Sequence, residues 1–438
     1  MCYAIPGKII KTKNKIAIID YFGEHRTALN NFITAKTGDY VYAQGGIVVS
    51  KIPKEEAKEL LEFWEEHFFK LKQVDGTLSK IKQPKNVSQQ ILQILQKVNL
   101  NQKLSQKNLL TLLNTKSKQN IKLILETANN IRQKIHQNSS CVHGIIEFSN
   151  YCQHDCHYCG IRKSQNVSRY RLSIDEIIKL AKSSVALGFK ALVLQSGEDH
   201  WYTEEKLIKI VKELRKLNIL IFLSIGERSP KTYKKLYQAG ARAVLLRFET
   251  SNKNIFHKLK PESSLSDRLK LIKDLREFGY IIATGFLLGL PGETKQDIVN
   301  NILLAKSFQP DMYSFGPLIP TPSTPLAKQK LVTTELMLKT IATIRLIDKD
   351  CNILITSAFE ALDKDAKKKG LLAGGNSLMI NTTPTHYKKQ YHLYPNRPDT
   401  NKTAINNIKQ TTDLLYSLGR APVELSIKKH NRQHGKNK

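Results

Sequence analysis

The stretch GIIEFSNYCQHDCHYC, residues 144–159, decides how this chain folds. GIIEF (144–148) is a short apolar run of the kind buried on both faces in a parallel sheet. Directly after it, Cys152, Cys156 and Cys159 fall within eight residues. Three thiolates on one short loop can each hold one iron of a cubane, which leaves the fourth iron without a cysteine. Thiolates suit zinc equally, with His154 or His157 as a fourth ligand. Zinc sites commonly bring a second ligand pair downstream at similar spacing, and none follows here. The spacing therefore favours one [4Fe–4S] cluster. Cys2, Cys141 and Cys351 are too scattered to make a disulfide framework in 438 residues, and Cys141 and Cys351 read as plain buried thiols.

Outward from that loop, strand and helix patterns alternate. KALVLQ (190–195), LIFLSI (220–225), AVLLRF (243–248), IIATGFLL (281–288), MYSFG (312–316), NILITSA (352–358) and SLMI (377–380) follow GIIEF as apolar strands. Amphipathic segments separate them at 173–187, 204–217, 229–239, 263–278, 293–308 and 334–347. Eight such strands over roughly 250 residues predict an α/β fold, a (βα)8 TIM-type barrel spanning 141–395. A doubly wound open sheet is the structural alternative.

In such a barrel the reactive groups gather where strands end. The ends here read Gln195–Glu198, Ser224–Glu227, Arg247–Thr250, Gly289–Glu293, Phe315–Pro317 and Thr356–Ser357, and all six are expected at one mouth. An iron with an open position can chelate the amino and carboxylate groups of S-adenosylmethionine (SAM). That zwitterionic sulfonium needs carboxylate and guanidinium partners. Glu249 can accept from its amine or ribose hydroxyls, Arg268 can pair with its carboxylate, and Tyr158 can pack on its adenine. Arg247 is a candidate clamp for an anionic second substrate. Structural ion pairs and loop packing are the plainer readings of these residues. Tyr387, Tyr391 and Tyr394 recur at helical spacing, as a cap on the barrel or as core.

Residues 1–72 read as a small all-β, OB-like barrel. KIIKTKNKIAIIDYF and DYVYAQGGIVVSKI supply strand pairs, and the helix PKEEAKELLEFWEEHFFKLK closes them. Residues 73–140 hold eleven Lys and Arg against two acids and read as a basic linker with a helical lead-in. Residues 396–438 read as a helical, basic tail. The net charge of +31 raises the prospect of nucleic acid, but no basic stripe comes with stacking aromatics. Nucleic acid is therefore not expected as a partner, and the charge follows a Lys- and Asn-rich composition. No signal-peptide pattern and no apolar run long enough for a membrane span are visible, so a cytoplasmic setting is expected.

The barrel region resembles HydE-type radical SAM maturases of [FeFe]-hydrogenase, in the biotin-synthase-like group. IIEFSNYCQHDCHYCGIRKSQNVSRYRLS, LVLQSGED, LSIGERS, LLRFETS, GFLLGLPGET, MYSFGPLIP and GGNSLMINTTPTHYKKQYHLYPN carry the likeness. It implies a cluster on Cys152, Cys156 and Cys159, and SAM contacts by Gln195, Glu249 and Arg268. It implies a deeper anion site near Arg247, Thr356 and Ser357, with Met312, Tyr391 and Tyr394 lining the cavity. The activity implied is reductive cleavage of SAM to a 5′-deoxyadenosyl radical that acts on an iron–cysteine complex with CO and CN ligands. Ferredoxin or flavodoxin would supply the electron. No cysteines follow the LYP segment, so an accessory cluster is not expected, and Phe222 would make one cavity wall less polar. A methylornithine-synthase-like mutase and a non-catalytic iron scaffold are the alternatives.

The first 72 residues are similar to the HypC/HupF chaperones of [NiFe]-hydrogenase maturation, through MCYAIPGKI, VYAQGG and SKI before an acidic helix. This implies an iron fragment on Cys2, whose amine and thiolate would form a chelate, and other hydrogenase maturation proteins as partners. Gln44 stands where many of that family have His.

Overall fold

The computed structural model describes residues 5–82 and 85–422; Cys2 lies outside them. Strands β1 (Gly7–Lys13), β2 (Ile16–Tyr21), β3 (Glu24–Leu29), β4 (Tyr40–Gln44) and β5 (Ile47–Ile52) close into a barrel in the order β1-β2-β3-β5-β4. Helix α1 (Lys54–Leu78) seals it with Trp64, Phe68 and Leu71, which recur on one helical face and are buried. This helix runs past the expected boundary at 72. The segment after it is more than a linker. Helices α2 (Gln89–Asn99), α3 (Gln106–Asn114) and α4 (Lys118–His136) pack their leucines into the same core as the large barrel.

The large barrel has parallel strands β6 (Cys141–Ser149), β7 (Ala191–Ser196), β8 (Leu220–Ser224), β9 (Ala243–Leu245), β10 (Ile281–Thr284), β11 (Leu287–Leu288), β12 (Met312–Pro317), β13 (Asn352–Ile355) and β14 (Ser377–Asn381). β10 and β11 are the expected run 281–288 broken in two. The break falls at Gly285, where a Cβ would stand 2.1 Å from the Ser314 carbonyl oxygen, so only glycine lets β12 come that close. β10 pairs with β12 as well as β9, and β6 pairs with β14, which closes an eight-stranded (βα)8 barrel. β9 ends three residues earlier than expected; Leu246 and Phe248 still donate to the Ala283 and Gly285 carbonyls, and Glu249 then turns the chain at φ +67°.

The small barrel is the floor of the large one. Phe32, Tyr42, Ile47, Val49 and Ile52 share one buried cluster with Ala191, Leu220, Phe222, Ala243, Ile281 and Met312, at or near the starts of the large barrel's strands. Gly45, at φ +59°, turns so close that a Cβ would lie 2.8 Å from both Leu220 and Ile281. Arg215 donates to the Phe32 carbonyl at 2.7 Å and lies over the Phe32 ring. A second tie is ionic. Asp75 of α1 accepts two bonds from Arg132 of α4 at 2.7 Å and one from Arg420 at 3.0 Å, all essentially without solvent exposure. No helix among the described residues is long and apolar enough to cross a membrane.

Candidate functional site

The loop after β6 is held by bonds to the neighbouring strand-end segments. The Ser149 hydroxyl donates to Asp199 at 2.7 Å, the Gln153 amide to the Glu198 carbonyl at 3.0 Å, and the His157 amide to the Leu259 carbonyl at 2.9 Å. Arg169 spans the loop with bonds to the carbonyls of Asn150, Ile161, Arg162 and Gln165. Gly197 and Gly160 allow close approach: a Cβ at Gly197 would sit 2.1 Å from the Tyr151 carbonyl oxygen, and one at Gly160 would overlap that of His392. The loop presents Cys152, Cys156 and Cys159, all free, to a cavity of about 340 Å³ at the mouth of the barrel.

Burial pushes the Cys152 thiol up, the Cys156 thiol to about 11 and the Cys159 thiol to about 12. Such thiols ionise when a metal takes up the charge, which fits a cluster. Among the described residues no three His, Cys, Asp or Glu side chains converge on one point that a single ion could fill. That leaves room for a cubane, whose thiolates bind separate irons.

Charged groups face the cavity beside this loop. Glu198 accepts from His154 at 2.8 Å and has Arg268 at 3.5 Å and Lys260 at 4.0 Å. Burial opposes its charge, but His154 and the two cations outweigh that and hold it at about 2. Arg268 is committed to Glu227 at 2.6 Å, to Glu198, and to the Arg247 carbonyl at 2.9 Å. It is thus the ion-paired residue of the plainer reading, although it lines the cavity and its Nε has no partner. Arg247 lies 3.5 Å from Glu249, whose Oε2 is buried and unpartnered. A non-glycine residue held at positive φ with an unmet oxygen aimed into a cavity is typical of a binding site.

Gln195, Glu249, Arg268, Arg247, Thr356, Ser357, Tyr158, Tyr391 and Tyr394 all line this cavity. Ser357 and Tyr394 share a hydrogen bond at 2.6 Å. Met312 does not line it. It opens β12 and lies in the floor cluster, where its sulfur accepts from Ser377 at 3.3 Å. Phe222 lies on the floor too, against His143, so it sets no wall of the cavity. The Gly289–Glu293 end is also absent from the mouth: Glu293 bonds back to the Gly289 amide at 2.8 Å. The three tyrosines do not share a helix. The helix stops at Lys388, Tyr387 bonds to Glu176, and Tyr391 and Tyr394 reach the cavity from the chain beyond.

Several lining residues were not anticipated: Glu147, Lys260, Asn381, Arg397, Asp399 and Asn407. Glu147 left a trace in the sequence as the one acid in an otherwise apolar strand. Arg397 and Asp399 fall in what reads as a tail, and nothing local marks Lys260.

The chain matches the Radical SAM superfamily over residues 146–305, the Biotin and Thiamin Synthesis associated domain over 314–421 and the HupF/HypC family over 1–64. It is 38% identical over 300 residues to the [FeFe] hydrogenase maturase subunit HydE of Thermotoga maritima, covering 68% of this chain and 86% of that protein. It is 30% identical to the 3-methylornithine synthase of Methanosarcina acetivorans, over 59% of this chain and 75% of that protein. Among solved structures, methylornithine synthase (PylB) superposes with a TM-score of 0.65 at 24% identity, over 75% of this chain and 97% of that one. The FeFe-hydrogenase maturase HydG from Carboxydothermus hydrogenoformans superposes with a TM-score of 0.65 at 18% identity, over 81% and 84%, a likeness of fold. With cluster loop, barrel and relatives in agreement, the chain belongs to the HydE family of radical SAM [FeFe]-hydrogenase maturases and carries a HupF/HypC-type module at its N-terminus.

Proposed function

We propose that this enzyme acts on an iron–cysteine complex bearing CO and CN ligands, a precursor of the hydrogenase diiron unit. One [4Fe–4S] cluster on Cys152, Cys156 and Cys159, with SAM bound, supplies reductive cleavage to methionine and a 5′-deoxyadenosyl radical. The observation that carries this reading is the placement of three free thiols over a cavity lined by paired charges. Glu249 and Gln195 hold the amine and ribose of SAM, Tyr158 covers the adenine, and the free Nε of Arg268 meets its carboxylate. Glu198 keeps Arg268 and Lys260 oriented toward the site. Arg247, Thr356, Ser357 and Tyr394 take the anionic part of the substrate, and the walls keep stray C–H and S–H hydrogen donors away from the radical.

A single cluster fits the absence of cysteine from Asn396–Gln410. A low-potential ferredoxin or flavodoxin serves as reductant, other maturation proteins as partners, and the cytoplasm as the setting. Cys2 of the N-terminal module holds an iron fragment. The test is anaerobic reconstitution. Cys156→Ser is expected to abolish 5′-deoxyadenosine formation and hydrogenase maturation, while Cys2→Ala weakens maturation alone. Zinc in place of iron and acid-labile sulfide would overturn the reading. A mutase would instead turn over an amino acid with no iron–cysteine complex added, and the HupF/HypC module argues against it.

A further inference from the structure

The cavity has a second polar pole, on the side of β6 and β14, that the reading above does not use. Glu147 is 1% exposed, and its Oε1 accepts from Arg397 at 2.6 Å. Its Oε2 has no hydrogen-bond partner, although the Asn381 amide stands near. Asp399 lies 3.5 Å from Arg397 through Oδ2, and its Oδ1 is unpartnered. The Nε of Arg397 and the Nδ2 of Asn407 are likewise buried and unmet. All four residues line the cavity, with Lys402 beside them.

Two unmet carboxylate oxygens call for a cationic donor. Two unmet N–H groups call for an acceptor. Each buried group left unsatisfied is destabilising, so the set selects a ligand that answers both. A simple anion would face Glu147 and Asp399; a simple cation would leave Arg397 and Asn407 unmet. Burial pushes the Glu147 carboxyl up against the pull of Arg397, and a second cation at Oε2 would keep it ionised.

We propose that Glu147, Asp399, Arg397 and Asn407 bind the α-ammonium and α-carboxylate groups of a substrate that carries a free amino acid. Glu147 Oε2 and Asp399 Oδ1 receive the ammonium; Arg397 Nε and Asn407 Nδ2 receive the carboxylate. Tyr391, which bonds to Gln195, lies near both Glu147 and Cys159 and ties this pole to the cluster loop.

The proposal rests on reading the substrate as an amino-acid complex, and its test needs neither iron substrate nor turnover. The cluster-loaded full chain is titrated calorimetrically with L-cysteine, with cysteamine, which lacks the carboxylate, and with 3-mercaptopropionate, which lacks the ammonium. L-Cysteine is expected to bind at least tenfold tighter than either. Glu147→Gln should erase most of its advantage over 3-mercaptopropionate and keep its advantage over cysteamine. Asp399→Asn, nearer the rim, should do the same and stands in if the Glu147 variant fails to fold. Equal binding of the three ligands to the wild-type protein overturns the proposal, as do variants that bind all three unchanged. Turnover of an iron–cysteine complex without any preference for the zwitterion would sink this site and leave the function standing. The preference without such turnover would do the reverse.

Discussion

Gly197→Ala offers a sharp test of how the cluster loop is positioned. Gly197 directly follows β7, and its backbone lies against the start of the loop. An added Cβ would fall 2.1 Å from the Tyr151 carbonyl oxygen and 2.9 Å from the Cys152 Cβ. Tolerable contacts begin near 3.0 Å, so the Tyr151–Cys152 backbone must retreat by at least about 0.9 Å. The obstacle is main chain, not the end of a flexible side chain. It is also fixed, because the Tyr151 amide bonds to Ser149 and the Gln153 amide to the Glu198 carbonyl. The shift therefore passes to Cys152. A misplacement near 1 Å at a reacting centre costs on the order of 100-fold in rate, or about 2.7 kcal/mol. The expected result is reduced iron and sulfide after anaerobic reconstitution, and 5′-deoxyadenosine formation lowered about 100-fold, in a chain whose thermal unfolding moves little. Full iron content with wild-type SAM cleavage would refute the claim that this backbone contact sets the position of Cys152.

Other substitutions probe the frame. Asp75→Ala leaves Arg132 and Arg420 buried without their counter-charge and is expected to lower stability by about 3–5 kcal/mol, read from urea unfolding. Gly76→Ala, in the same helix with nothing within 4 Å of the new Cβ, should raise stability by about 0.5–1 kcal/mol in the same assay. Glu293 gives a pH signature, since burial pushes its carboxyl up to about 7 from 4.5. Below about pH 4.5 folded and unfolded chains both hold the proton and nothing is lost. Between there and about 7 the unfolded chain releases it while the folded chain keeps it, so stability falls as pH rises, by roughly 3 kcal/mol in all. Glu293→Gln should flatten that slope in unfolding measured from pH 4 to 8.

The cluster loop and the strand ends were legible because their signals are local: spacing of cysteines, apolar runs, polar residues where runs stop. What escaped depends on height within the barrel. Alternation along β6 tells that Cys141, His143, Ile145 and Glu147 share a face, but not which of them reaches the mouth. Met312 and Phe222 were misplaced for this reason. Both lie on inward-facing positions, but below the cavity, because the small barrel fills the floor up to their level. The tyrosine spacing failed differently. Residues 387–394 have helical periodicity, yet the Gly160 amide bonds to the Leu393 carbonyl and Gly160 packs on His392, so a partner distant in sequence pulls that chain out of a helix. Glu147 shows that an acid within an apolar strand repays attention even when no motif surrounds it.

The position of the small barrel also limits how it could serve the large one. Its apolar face, with Tyr42, Ile47 and Val49, is already buried against the ends of the strands opposite the cluster loop. That face is closed to other proteins, so any partner must meet a different surface. Ile145, Leu245, Leu354 and Met379 line the cavity above and pack on the floor cluster below. One apolar layer therefore separates floor from reaction chamber. Moving a polar iron fragment through that layer would mean desolvating it against side chains that offer it no hydrogen bond, at a cost of several kcal/mol. Delivery by way of solvent and the open mouth avoids that cost. If the N-terminal module carries the iron fragment proposed for it, the fusion keeps that fragment at high local concentration near the large barrel, with the floor contact fixing the relative pose of the two modules and not serving as a conduit.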